Sequence, residues 1–133
     1  MMFRPIGEHA LTPCIVVLGA PLLLDFLVDA LGGSVQDQER REDGSIVQAR
    51  VRLGDTVVMV IEAGRQFSPM CGAYCLDVEN IDATMARALL GGATLDAEVS
   101  DTPAGRQARV VDPFGNLWWL AEDERISQDG MAP

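Results

Sequence analysis

Few side chains in this chain could do chemistry. It holds one histidine, His9, and three cysteines, Cys14, Cys71 and Cys75. A divalent metal needs several nitrogen, oxygen or thiolate donors at fixed spacing. A lone imidazole ahead of the first strand is not such a site. Cys71 and Cys75 are four apart and Cys14 stands alone, which is not metal-ligand spacing. A catalytic thiol wants a neighbouring base, and no second histidine is present to be one. Core thiols, kept reduced in the cytosol, are the expectation. The more telling residues are Trp118 and Trp119 in the run Leu117-Trp118-Trp119-Leu120. An indole on an open face offers a flat surface for an aromatic or cationic group.

Charge narrows the partners. All ten cations are arginines, set against 20 Asp and Glu, for a net charge of −10. Nucleic acids and anionic membranes are bound by clustered cations, so both are disfavoured. An acidic surface attracts a cationic ligand, or serves solubility alone. Hydrophobic residues make up 48% of the 133, enough for one compact domain spanning 1–133. No apolar run reaches the roughly 18 residues of a membrane span. Residues 1–8 carry no apolar core of signal-peptide length, so a cytoplasmic location is expected.

The elements that position these residues occur twice. Gln-Ala-Arg-Val stands at 48–51 and again at 107–110. Leu31-Gly32-Gly33 closes one helix-like stretch and Leu90-Gly91-Gly92 another. The offset is about 59 to 61 residues, with small indels at turns, and reads as a duplicated supersecondary module. The first module covers 10–63. It has a strand over 12–18, a helix over 20–31 with Pro21 in its first turn, and strands over 34–39, 45–53 and 56–62. Gly54-Asp55 joins the last two as a tight hairpin. After a Gly/Ser/Pro linker, the second module covers 71–122. A strand over 74–78 leads to a helix over 82–90, capped by Asn80 or Asp82. The apolar positions of that helix include Met85, Ala86, Leu89 and Leu90. Strands follow over 94–99, 106–111 and 117–122, the last two joined across Asp112-Pro113-Phe114-Gly115-Asn116. The predicted fold is α+β, with two tandem βαβββ modules. Residues 123–133 read as a polar tail.

These motifs resemble the vicinal oxygen chelate superfamily of glyoxalases, extradiol dioxygenases and bleomycin- and fosfomycin-resistance proteins. The match runs through Leu11-Thr12-Pro13, Val16-Val17, Asp25-Phe26, Leu31-Gly32-Gly33, Val51-Arg52-Leu53-Gly54-Asp55 and Val78-Glu79-Asn80-Ile81-Asp82-Ala83. Asp112-Pro113-Phe114-Gly115-Asn116 with Trp118-Trp119-Leu120 is its most specific part. The resemblance implies sheets that curl into a cup, and commonly a homodimer with cups formed between chains. It also implies a divalent metal held from the first and last strands of each module. Placed five residues before Val17 and Val78, and four after Gly54 and Gly115, those positions read Thr12, Ala73, Val58 and Trp119. None is a usual metal ligand, so neither metal nor cofactor is expected. Gln48 stands where some relatives place a histidine, and is repeated as Gln107.

Alternation along the strands puts Trp119 and Leu117 on the cup side, and Trp118 and Leu120 on the helical side. Cys14 shares a face with Thr12, and Cys75 with Ala73. The expected ligand-binding set is therefore Trp119, Thr12, Cys14, Val58, Ala73, Cys75, Gln48 and Leu117, with no catalytic residue. The function so read is metal-independent sequestration of a flat aromatic compound, with or without a cationic group, such as a peptide or aromatic antibiotic. The alternative is a lyase, isomerase or oxidoreductase of glyoxalase or dioxygenase type with an atypical or absent metal site. Two or more convergent ionisable groups in the cup would mark that alternative.

Overall fold

The computed structural model describes residues 10–123. The expectations for His9 and for the tail beyond Asp123 fall outside that range. Ten elements run in the order β1 (Cys14–Val17), α1 (Ala20–Asp29), β2 (Ser34–Arg40), β3 (Ile46–Leu53), β4 (Thr56–Glu62), β5 (Ala73–Val78), α2 (Ile81–Leu90), β6 (Thr94–Thr102), β7 (Gly105–Val111) and β8 (Leu117–Glu122). This is βαβββ twice, as the repeat predicts. The elements fall into two compact units, one mostly of residues up to Met70, the other mostly of those from Cys71.

The first unit holds a four-stranded sheet in the order β1-β4-β3-β2. β1 pairs with β4 in parallel, through a crossover that contains α1, and the other pairs are antiparallel. Residues paired across strands share a face. Ile15 pairs with Val60, which pairs with Ala49, and Val51 pairs with Val58. All five are nearly or fully buried. α1 lies on this face, and both of its ends are fixed there. At its start, the Glu62 carboxylate accepts hydrogen bonds from the Gly19 and Ala20 amides at 2.9 and 2.7 Å. These are donors that a helix leaves unsatisfied, and a carboxylate suits the positive end of the helix dipole. Beyond its end, Gly33 packs so tightly that a Cβ there would stand 2.9 Å from the Leu27 carbonyl and from Val51 and Leu53 side-chain atoms. Leu23, Leu24, Phe26 and Leu27 complete the core.

The second unit repeats the design. Its sheet runs β5-β8-β7-β6, with β5 and β8 parallel. Asn80 caps α2, its Oδ1 accepting from the Ala83 amide at 3.0 Å. Glu122, matched to Glu62, accepts from the Ile81 amide at 3.0 Å. The buried stripe of α2 is Ile81, Thr84, Met85 and Ala88. Of the apolar positions named from the sequence, Met85 is buried, while Leu89 and Leu90 are 42% and 90% exposed and Ala86 is exposed too. With Ile81, Thr84, Met85 and Ala88 forming the inner stripe at i, i+3, i+4 and i+7, Ala86 and Leu90 fall on the outer side and Leu89 at its edge. The Asp112–Asn116 turn is internally wired. Asp112 Oδ1 accepts from the Phe114 and Asn116 amides at 2.9 and 3.0 Å. Its Oδ2 accepts from Asn116 Nδ2 at 3.0 Å and from Trp118 Nε1 at 2.9 Å. Asn116 Oδ1 accepts from the Gly72 amide at 2.9 Å, tying the turn to the start of β5. A buried carboxylate with this many donors is satisfied rather than reactive.

Candidate functional site: the open face of the second sheet

Pleating sends Tyr74, Trp118 and Leu120 toward α2, while Ala73, Cys75, Leu117, Trp119, Gln107 and Arg109 share the opposite face. The register fixes this: Cys75 and Arg109 flank Trp119 on the two neighbouring strands, Ala73 lies beside Leu117, and Gln107 beside Ala121. Burial agrees, with Trp118 2% exposed and Trp119 39%. Trp118 packs at 4.9 Å between ring centroids against Tyr74. A tryptophan pair adjacent in sequence is thus divided between core and open face.

Trp119 is held in place by polar neighbours. Its Nε1–H donates to Gln107 Oε1 at 3.0 Å. The Arg109 guanidinium carbon stands 5.1 Å from the centre of the indole, a cation–π contact. Arg109 Nε in turn donates to Asp96 Oδ2 at 2.7 Å. Asp96, Arg109, Trp119 and Gln107 therefore form one continuous chain of contacts that orients the ring. Beside the ring, Ala73 and Cys75 are small and exposed. At the far end of the same strands, a recess of about 380 Å³ is lined by Asp77, Pro103, Ala104, Gly105, Ala121, Glu122 and Asp123. It lies beyond Trp119 rather than over it.

The first sheet places the remaining predicted residues, with one correction. Cys14 pairs with Met59, Arg50 with Met59, and Gln48 with Ile61, all on the face opposite α1. Val58 lies on the other face, paired with Val51 and 5% exposed. It belongs to the helix-covered core, and Met59 occupies the position matched to Trp119. The reason is the turn. Four residues separate Arg52 from its partner Val57, and five separate Val111 from its partner Leu117. Counting from the two hairpin glycines therefore slips by one residue, and a one-residue slip changes face. Thr12 precedes β1, where its carbonyl accepts weakly from the Cys14 thiol at 3.8 Å. Partial burial pushes the Cys14 thiol above its usual range, which makes it a poorer nucleophile at neutral pH.

The inherited metal positions therefore read Thr12, Met59, Ala73 and Trp119. One hydroxyl, one thioether, a methyl and an indole do not suit a divalent ion. Among the described residues, no group of three or more His, Cys, Asp or Glu could hold a metal. Arg50 and Arg109 both stand on the face away from the helix, and each is neutralised by an aspartate: Asp37 for Arg50 and Asp96 for Arg109. Glu62 and Glu122 are engaged at the helix N-termini. Sequence reasoning missed that role. Their matched spacing from Gln48 and Gln107, 14 and 15 residues, was the available signal, and it also carries the one-residue turn difference.

Comparison with known proteins agrees with this fold. The family model described as the Glyoxalase/Bleomycin resistance protein/Dioxygenase superfamily matches residues 13–120, and the chain belongs to that superfamily. An uncharacterized protein of Mycobacterium bovis, Mb0911c, is 32% identical over 89% of this chain and 86% of its own length. The crystal structure of TioX from Micromonospora sp. ML1 superposes with a TM-score of 0.72 at 25% identity, covering 86% of this chain and 97% of that one. TnmS3, an antibiotic binding protein from Streptomyces sp. CB03234, superposes with a TM-score of 0.64 at 22% identity, over 86% and 97% of the two chains. That last likeness concerns the fold alone. No helix among the described residues is long and apolar enough to cross a membrane.

Proposed function

We propose that the open face of the second sheet binds a flat aromatic small molecule against Trp119, without a metal and without turnover. The reading rests on one observation. An indole 39% exposed is held by Gln107 and Arg109 at the position where the superfamily resemblance places a metal ligand. Its orientation is set before any ligand arrives, which lowers the cost of binding. Arg109 takes one face of the ring, so the ligand takes the face that Arg109 leaves, beside Ala73 and Cys75. The same arginine makes a ligand cation unnecessary, although the net charge of −10 still favours one at long range. Use of this fold by an antibiotic binding protein makes sequestration of an aromatic antibiotic a fitting role.

A thermal-shift screen of flat aromatic antibiotics tests the reading. A binder raises the melting temperature by mass action and quenches indole fluorescence. Trp119→Ala then weakens that compound by about 1–3 kcal/mol, the range for losing an aromatic stack. Equal affinity in the two proteins would show the indole to be filler.

A further inference from the structure

The turn between β2 and β3 carries a pair with its own chemistry, Asp43-Gly44. In an Asp-Gly pair the glycine nitrogen can attack the aspartate side-chain carboxyl, since glycine has no side chain to hinder the approach. Gly44 N joins Asp43 Cγ, the Cγ–OH bond breaks, and water leaves, giving a cyclic imide. Water then adds at the Asp43 main-chain carbonyl and opens the ring. The chain now runs on through the side-chain carboxyl, as isoaspartate. Asp43 and Gly44 are both exposed, and nothing lies within 4 Å of a Cβ built at Gly44. Yet the folded turn engages both groups that must react. Gly44 N–H donates to the Arg41 carbonyl at 2.9 Å, and the Gly44 carbonyl accepts from Arg40 Nη1 at 2.6 Å. Asp43 Oδ1 accepts from the Ser45 amide at 2.9 Å and from the Ser45 hydroxyl at 2.7 Å, an Asx turn closed by an added hydroxyl.

We propose that Asp43-Gly44 is a latent isoaspartate site that the folded hairpin keeps closed, with the Ser45 hydroxyl as its lock. A carboxylate must take up a proton before its oxygen can leave as water, and donors to the carboxylate favour the ionised form. Here they hold the Asp43 carboxyl below its usual range, the Ser45 hydroxyl first and the Ser45 amide second. The imide nitrogen carries no hydrogen, so ring closure also forfeits the bond from Gly44 to Arg41. Opening to isoaspartate adds one main-chain atom to a hairpin whose register sets Asp37 beside Arg50. The inference uses none of the residues around Trp119 and stands whatever that face binds.

The test ages the full chain in neutral buffer at body temperature, beside a synthetic peptide of residues 42–50. Trypsin cuts after Arg41 and Arg50, so the same peptide comes from the chain, apart from the other Asp-Gly pair at 129–130. Chromatography separates its isoaspartyl form at unchanged mass, and electron-transfer fragmentation locates the altered residue. The folded chain is expected to convert more than about tenfold more slowly than the peptide, since a hydrogen-bonded turn opens rarely. Ser45→Ala is expected to convert about threefold faster than the native chain, the worth of one exposed hydrogen bond, with a smaller effect of the same change in the peptide. Ser45→Thr keeps the hydroxyl and is expected to stay near the native rate, which separates loss of the lock from a general weakening of the fold. A native rate equal to the peptide's, a Ser45→Ala rate no faster than native, or a Ser45→Thr rate as fast as that of Ser45→Ala overturns the proposal.

Discussion

Replacing each tryptophan by phenylalanine, one at a time, separates the two faces of β8. Trp118 is 2% exposed and its indole N–H reaches the Asp112 carboxylate at 2.9 Å. Phenylalanine removes that donor and part of the ring. A hydrogen bond to a charged group contributes about 1.5–3 kcal/mol, and the void left in a closed core costs about 1–2 kcal/mol more. Trp118→Phe should therefore lose about 2.5–5 kcal/mol. Trp119 is 39% exposed, and its N–H partner, Gln107, can be replaced by water. Trp119→Phe should stay within about 0.5–1 kcal/mol of the native chain, as surface changes do. Urea unfolding followed by far-ultraviolet circular dichroism measures both, with the slope checked for constancy so that the midpoint reports stability. A domain of ordinary stability, about 5–15 kcal/mol, keeps Trp118→Phe folded long enough to be measured. Equal losses in the two variants, or the larger loss at Trp119, would refute the assignment of faces. A cycle with Asp112→Asn isolates the bond: the Trp118→Phe penalty should shrink in that background, because the acceptor is no longer charged.

Three further outcomes follow from the same geometry. Glu62→Ala removes the acceptor of the Gly19 and Ala20 amides and should cost about 1–2 kcal/mol in urea unfolding, as helix-cap losses do; no loss would mean the cap is replaced by water at no cost. Protein purified without a histidine tag should carry well under one zinc, nickel, manganese or iron per chain by elemental analysis, and stoichiometric metal that survives dialysis would contradict the donor argument. Light scattering at micromolar concentration should report a homodimer, twice the 14.3 kDa chain, since two-fold pairing is the commonest assembly of soluble chains; a mass of 14.3 kDa would count against it.

Much of this fold was legible because local chemistry and the repeat agree. Pro21, Gly33 and Asn80 punctuate the helices, and alternation along Leu117–Leu120 assigns Trp118 and Trp119 to opposite faces without ambiguity. The candidate site was legible only in part. Val58 was misplaced because a hairpin glycine is a poor ruler: turns gain or lose a residue at little cost, while strands cannot slip without exposing their core side. Glu62 and Glu122 keep their strand positions, and counting back from them gives Met59 and Trp119. Long-range partners were beyond reach. Nothing local says that Asp96 answers Arg109, or that a β4 glutamate caps a helix 42 residues earlier. Those pairs depend on which strands become neighbours, and only the folded sheet decides that.

Duplication makes the remaining difference between the units interpretable. Gln48 and Gln107 stand at matched positions of the two units, but only Gln107 has a donor opposite it. If the amide at 48 served the fold, its loss would cost stability. The geometry says otherwise: a buried acceptor without a partner opposes folding by about 1–3 kcal/mol. Gln48→Leu should therefore raise stability by about 1 kcal/mol, whereas Gln107→Leu should leave it unchanged or slightly lower. Urea midpoints for the two variants decide the matter. A loss above about 0.5 kcal/mol in Gln48→Leu, beyond ordinary surface scatter, would show that this amide already has a structural partner.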